Sequence, residues 1–195
     1  MENYAFYCCD TETTSLSLDG DIIELSILRM SDQSQKTWWF KPLNHDTIDP
    51  GALRVNGHKL EDLLWQTKEG RDKYLEPAPQ LIEIENWLAE DNMPAEKRFL
   101  IGHNCSFDKD RMEVLWTRCQ AKDSFPFGRR YLDTMIVELF MSYAKGEFDE
   151  GYSLNNLTKK YGVKNEKAHS ASADTLATKK VFEKQVELMK KLLSR

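Results

Sequence analysis

The 195-residue sequence predicts a mixed α/β sheet with helices on its faces, folded as a single domain over residues 1–195. Three strand-like runs come first, joined by links too short for a crossover helix, so an antiparallel meander is their natural arrangement. Helix-period and strand-like segments then alternate, the pattern of parallel strands with packed helices. A chain of this length accommodates one sizeable core and is marginal for two.

The first run, Tyr4-Ala-Phe-Tyr-Cys-Cys9, is apolar and reads as a buried strand. Residues 22–30 alternate as Ile22-Ile-Glu-Leu-Ser-Ile-Leu-Arg-Met30, and 36–41, Lys36-Thr-Trp-Trp-Phe-Lys41, complete the meander. Trp38 and Trp39 fall on opposite faces of that third strand, one in the core and the other under a helix. Residues 42–77 are polar and punctuated by Pro and Gly, which predicts loop with short helices. Helical spacing through Leu81, Ile84, Trp87 and Leu88 predicts a helix over 79–90, and Arg98-Phe-Leu-Ile-Gly102 a short buried strand. A helix capped by Ser106 runs to about residue 120, with Met112, Leu115, Trp116 and Cys119 on one stripe. A brief strand at Arg130-Tyr-Leu132 leads into helices over 134–144, 153–161 and 170–193, with Asp133 as an N-cap. Ala177, Val181, Leu188 and Leu192 are the inward stripe of the last helix.

Composition is that of an ordinary globular chain, 41% hydrophobic and 30% charged. The net charge of −5 is the wrong sign for a protein that coats duplexes non-specifically, though a local basic patch can still handle phosphates. No run is long enough to span a bilayer and the N-terminus lacks a basic stretch followed by an apolar one, which points to the cytoplasm and away from membranes. The cysteines Cys8, Cys9, Cys105 and Cys119 contain no C-x-x-C pair. They read as reduced core thiols, which disfavours cysteine-ligated zinc.

The chemistry lies in Asp10, Glu12, Asp108, Asp174 and His169. Asp10 and Glu12 follow the first strand two residues apart, so both carboxylates share a face. Like charges at the mouth of a core strand repel and resist desolvation, and a divalent cation between them resolves both costs. Asp108 and Asp174 each sit at the N-terminal end of a helix's apolar stripe and so point inward. If those helices pack beside the first strand, four carboxylates converge. Oxygen-rich clusters of this kind suit Mg²⁺ or Mn²⁺, and two ions about 3.5–4 Å apart clamp the attacking and leaving oxygens of an in-line phosphoryl displacement. A histidine titrating near neutrality is suited to take a proton from the attacking water.

Asp10-Thr-Glu-Thr-Thr14, Gly102-His-Asn-Cys-Ser-Phe-Asp108 and His169-Ser-Ala-Ser-Ala-Asp174 resemble, in order and spacing, the three motifs of the DEDDh (DnaQ-like) 3′–5′ exonucleases, relatives of the bacterial polymerase proofreading subunit. The resemblance covers about residues 4–183. It implies a ribonuclease H-like fold: a five-stranded mixed sheet in which an antiparallel meander leads into parallel strands. It implies two Mg²⁺ (or Mn²⁺) held by Asp10, Glu12, Asp108 and Asp174, with His169 as general base. Its substrate would be a single-stranded nucleic acid 3′ end, DNA favoured, and a DNA polymerase or another replication protein a partner. Thr13 matches the position of backbone contacts to the terminal nucleotide, and Pro50–Gly57 the segment lining its pocket. Leu16 and Phe107 flank the motifs and are placed for the terminal base; His103 and Asn104 are further substrate-contact candidates. Ser15 stands where the family commonly has glycine, and Thr175 where it frequently has alanine.

Taken singly, each of these residues has a plainer reading. Asp10 and Glu12 make a turn pair, Asp108 and Asp174 complement helix dipoles, and His169 is a loop histidine. His103 and Asn104 fit a structural hydrogen-bonding role equally well. His45 and His58 read as surface residues, and Lys159, Lys160, Lys164 and Lys167 as a solvated face or a phosphate-steering patch beside His169. The conjunction of five such residues in motif order favours chemistry. The competing readings are an exoribonuclease acting on RNA 3′ ends or short oligoribonucleotides, and a non-catalytic nucleic-acid-binding module on the same fold. Nothing in the sequence fixes the ribose recognition that would separate DNA from RNA, nor an oligomeric state.

Overall fold

A computed structural model describes residues 4–119, 125–165 and 167–194. The meander is formed by β1 (Ala5–Thr13), β2 (Ile22–Arg29) and β3 (Gln35–Trp39), and β4 (Arg98–Gly102) and β5 (Tyr131–Asp133) complete a five-stranded sheet in the order β3-β2-β1-β4-β5. β1–β2 and β2–β3 pair antiparallel, and β1–β4 and β4–β5 pair parallel. This is the expected ribonuclease H-like arrangement. β1 lies at its centre and runs four residues past the apolar stretch that announces it, carrying Asp10 and Glu12 within the strand. Its pairing with β2 shifts register between Glu12 and Thr13, an irregularity that ends the ladder at the site.

The helices are α1 (Pro50–Asn56), α2 (Leu60–Leu63), α3 (Lys68–Lys73), α4 (Pro77–Ala89), α5 (Cys105–Arg118), α6 (Thr134–Lys145), α7 (Leu154–Tyr161) and α8 (Ala171–Leu193). Alternation along β1 sends Tyr7 and Cys9 to one face, where they pack with Leu81, Ile84, Trp87 and Leu88 of α4 and with Met112, Leu115 and Trp116 of α5. Cys8 faces the other way, in a smaller cluster with Leu28, Ile101 and Phe182 of α8. Asp10 and Glu12 share the parity of Cys8 and therefore face α8. Trp38 is in the main core, while Trp39 packs with Ile23, Leu53, Leu63 and Tyr74 under the short helices. All four cysteines are free thiols, three of them buried.

Several expectations need correction. α5 begins at Cys105 with Asn104 as its N-cap, in a left-handed conformation and without a side-chain cap. Ser106 is not the cap. The first donors of α5 are instead taken by Asp133, whose carboxylate accepts Asn104 N–H at 3.1 Å and Cys105 N–H at 2.8 Å. The same carboxylate caps α6 through Met135 and Ile136, as its position just before that helix predicts. Gly102 is required at this corner, since a Cβ there would lie 2.7 Å from the Cys105 Cβ. Leu188 and Leu192 do not face inward: α8 runs beyond the sheet, and both are exposed while Gln185 is the last buried residue of the stripe. His58 is buried rather than on the surface, only 8% exposed. Among the described residues no helix is long and apolar enough to cross a membrane.

Candidate active site

The end of β1 and the start of α8 bring three of the sequence-identified carboxylates together. Asp10, Glu12 and Asp174 can each offer an oxygen such that all three lie within 4.8 Å of one another. Asp108 reaches the group from the other side of the sheet, because α5 packs on the face opposite α8. Its Oδ1 accepts both the main-chain N–H of Thr11, at 2.9 Å, and the Thr11 hydroxyl, at 2.7 Å. That pair of bonds holds Asp108 near enough for its charge to act on Asp10, and among the described residues no hydrogen bond reaches its Oδ2. The expected convergence of four carboxylates is thus three in a tight cluster and one adjoining it.

The electrostatics follow from like charges gathered out of water. Burial, then repulsion from Asp108, Asp174, Glu12 and Glu24, pushes the Asp10 carboxyl well above the usual carboxylate range. Burial and the charges of Asp174, Glu24 and Asp108 raise Glu12 to about 8. Burial raises Asp108 to about 7, against the two Thr11 hydrogen bonds that favour its charged form. Among the described residues, no side chain or main-chain N–H donates to the carboxylates of Asp10 or Glu12, and neither forms an ion pair. Acidic oxygens that are clustered, partly desolvated and without protein donors fit a hard divalent cation.

Asp174, unlike Asp10 and Glu12, has partners: Asn165 Nδ2 donates to Oδ1 at 2.5 Å, and the main-chain N–H of His169 donates to Oδ2 at 2.9 Å. His169 has a left-handed backbone, φ 68°, a conformation uncommon outside glycine but one in which histidine is enriched. Its exposed ring borders a cleft of about 390 Å³ lined by Thr11, Glu12, Thr13, Leu16, Asp49, Gly51, Ala52, Val55, Asn56 and Phe107. Leu16 and Phe107 thus stand at the cleft with Glu12 and Thr13, and α1 forms another wall, as the match to Pro50–Gly57 implies. The Asn56 amide donates to the Thr13 carbonyl at 3.1 Å and ties α1 to the end of β1. Ser15 does not adopt positive φ, so the glycine common in the family is not needed here.

His103 and Asn104 do not line this cleft. The His103 ring is paired with the Thr134 hydroxyl at 2.9 Å, and Asn104 is the backbone corner that opens α5. Lys160 is committed to ion pairs with Glu138 at 2.8 Å and Asp149 at 2.5 Å, while Lys159, Lys164 and Lys167 are exposed.

Sequence reasoning missed the supports. Glu24 lies opposite Glu12 on β2, buried, with Oε2 3.3 Å from Nε2 of His58, whose Nδ1 is 2.6 Å from the Tyr74 hydroxyl. Burial raises the Glu24 carboxyl, but the His58 contact and a main-chain N–H of Ser172 outweigh it and hold the group below its ordinary value. Glu24 therefore braces the start of α8 from the adjacent strand, on the same face of the sheet. The parity of Glu24 with Glu12 was visible as a signal; the His58 partnership was not.

A ribonuclease H-like sheet with acidic residues gathered at the end of its central strand is a frame suited to metal-dependent phosphoryl chemistry, and the family, not the fold alone, names the class as a nuclease. The exonuclease family described as "RNase_T: Exonuclease" matches residues 7–182, and the chain belongs to it. Its five motif residues spell the DEDDh pattern. It is 31% identical over 194 residues to a DNA polymerase III PolC-type of Staphylococcus haemolyticus (strain JCSC1435), covering 98% of this chain and 12% of that protein. A DNA polymerase III PolC-type of Staphylococcus aureus is 29% identical over the same length and coverage. The chain spans about an eighth of the length of these curated relatives. In fold it is similar to the nuclease domain of 3′hExo, a DEDDh family member, bound to rAMP (TM-score 0.71, 11% identity, 94% of this chain and 92% of that one). It is also similar to cell-death related nuclease 4 (CRN-4), with a TM-score of 0.70, 13% identity, and coverage of 95% of this chain and 65% of that one.

Proposed function

We propose that this domain removes nucleotides one at a time from the 3′ ends of single-stranded nucleic acid, DNA in preference to RNA, releasing nucleoside 5′-monophosphates. The observation that carries this reading is the group Asp10, Glu12 and Asp174, with no donor to Asp10 or Glu12 among the described residues, at the edge of a nucleotide-sized cleft. Asp10, Glu12 and Asp174 would hold one Mg²⁺, and Asp10 with Asp108 a second, Mn²⁺ substituting for either. When bound, the ions supply charge neutralisation and Lewis acidity at the scissile phosphate.

The chain's own residues do the rest. His169 accepts the proton of the water that attacks the terminal phosphodiester, and the 3′ oxygen of the penultimate nucleotide departs. Leu16 and Phe107 flank the terminal base and Ala52 and Val55 face it from α1. These apolar walls read no base edge, so removal is tolerant of sequence. Thr13 lies at the cleft beside Glu12, held by Asn56. The similarity to proteins named DNA polymerase III PolC-type supports proofreading or repair of DNA ends. The rAMP bound to 3′hExo favours a second reading, exoribonuclease activity on RNA ends or short oligoribonucleotides.

The test is a time course with matched 5′-labelled DNA and RNA strands, single and double, in Mg²⁺, in Mn²⁺ and with excess chelator. A ladder shortening from the 3′ end of single-stranded DNA, abolished by chelator, is the expected result. Faster shortening of RNA selects the second reading, and binding without cleavage in either metal leaves only a nucleic-acid-binding module.

A further inference from the structure

Arg111 carries a buried guanidinium, 5% exposed, that forms no ion pair among the described residues. It lies on α5, three residues after Asp108 and four after Phe107. Its Nη2 donates to the main-chain carbonyls of Leu16, at 2.5 Å, and Ser17, at 3.0 Å, and its Nη1 to the carbonyl of Phe107 at 3.1 Å. The guanidinium carbon lies 3.4 Å from the centre of the Phe107 ring, so the planar group stacks on the aromatic face. One side chain therefore touches both residues that flank the presumed base position. Leu16 itself is 81% exposed and has no packing of its own to hold it there.

The loop that carries Leu16 is fixed at its base by other groups. Thr14 N–H donates to the Asp21 carbonyl at 2.8 Å, and Arg118, two turns further along α5, pairs with the Asp21 carboxylate at 2.7 Å. Gly20 lets this loop close, since a Cβ there would lie 2.9 Å from the Ser15 carbonyl oxygen. At the tip, Gly20 N–H also donates to the Ser17 carbonyl at 3.1 Å, whereas among the described residues the Leu16 carbonyl is bonded by Arg111 alone. Desolvating a full charge to satisfy main-chain carbonyls is costly, and it gives a loop tip a single position.

We propose that Arg111 is a positioning residue for the nucleotide cleft: by bonding the Leu16–Ser17 tip and stacking on Phe107, it sets the spacing of the two side chains between which the terminal base enters. The role rests on the exonuclease reading above. It concerns substrate fit and is distinct from the neutralising effect that Arg111 also has on nearby Asp108. Lysine in its place keeps the charge near Asp108 but cannot bond several carbonyls in one plane or stack as a plate.

The experiment compares wild type, Arg111→Lys, Leu16→Ala and the double variant on a single-stranded oligothymidylate and on bis(4-nitrophenyl) phosphate, a diester with no base. Mn²⁺ affinity is measured alongside. Expected for Arg111→Lys is a KM for the oligonucleotide raised about 10-fold with kcat within about twofold, and unchanged turnover of the baseless diester and Mn²⁺ affinity. Leu16→Ala should raise KM similarly, and the double variant should be no worse than the worse single one, because both changes release the same tip. Equal losses on both diesters, weakened Mn²⁺ binding, or additive effects would overturn the positioning role. An unchanged KM in Arg111→Lys with an active wild type overturns it alone; a wild type inactive on both diesters overturns the exonuclease reading and this role with it.

Discussion

The main-chain N–H of His169 donates to Asp174 Oδ2 at 2.9 Å, joining the proposed proton acceptor to a proposed cation ligand. The bond uses His169's backbone, so among the described residues the imidazole has no partner at the cleft while its Cα is fixed relative to the acidic cluster. Proton acceptor and cation site can therefore be separated by mutation.

His169→Ala removes the ring and keeps the N–H that bonds Asp174. Turnover should fall by about 10²–10⁴-fold while Mn²⁺ affinity stays within about twofold of wild type. Single-turnover cleavage and Mn²⁺ titration calorimetry read the two quantities, and near-normal turnover would remove histidine as the base.

Asn165 holds the other oxygen of Asp174. Outer partners of metal ligands orient them, and their loss typically weakens metal binding about 10–100-fold. Asn165→Ala should raise the Mn²⁺ dissociation constant by that factor, with activity recovered at saturating metal. An unaltered dissociation constant would mean that Asp174 is oriented by His169 N–H alone.

The raised carboxyls give the metal-free protein a pH signature. Glu12 titrates near about 8 and Asp108 near about 7 in the fold, whereas an unfolded chain has both near about 4. Between those limits the folded state binds more protons than the unfolded one. Its stability is greatest below about pH 4 for these two groups and is lost as pH rises through 7 to about 8. Calorimetric Tm of chelator-treated protein should therefore lose ground from these groups across that window, and the Tm increase produced by Mn²⁺ should grow with pH. Metal binding near neutrality should also release protons, measurable in buffers of different ionisation enthalpy. A pH-independent metal effect with no proton release would contradict the assignment.

His58 is the buried partner of Glu24. His58→Ala leaves that carboxylate desolvated without its partner and empties a buried site, which should cost about 3 kcal/mol in urea unfolding. A cost below about 1 kcal/mol would show that the Ser170 hydroxyl, 3.4 Å from Glu24 Oε1, and the Ser172 N–H suffice to satisfy Glu24.

The antiparallel meander and all five motif residues could be read from the chain because each sits in a local pattern: alternation, an apolar run, or a short motif; the five-stranded mixed sheet was implied by the family resemblance rather than by any local pattern. What escaped depends on groups distant in sequence. The cap of α5 comes from Asp133, 28 residues after Cys105, so no residue near 104–106 could announce it. His58 is a loop histidine until the fold places it 3.3 Å from Glu24. Arg111 looks like any helix cation, and only the approach of the 16–17 carbonyls turns it inward. Leu188 and Leu192 erred the opposite way: helical periodicity continues past the sheet, where nothing in the described chain covers them.

The central claim is that Asp10, Glu12, Asp108 and Asp174 share divalent cations at the cleft. Anomalous diffraction from crystals grown with Mn²⁺ and a nucleoside 5′-monophosphate measures this directly. Two peaks about 3.5–4 Å apart are expected, one contacting Asp10, Glu12 and Asp174 and the other between Asp10 and Asp108. Crystals containing the nucleotide but no anomalous peak within reach of these carboxylates would contradict the account.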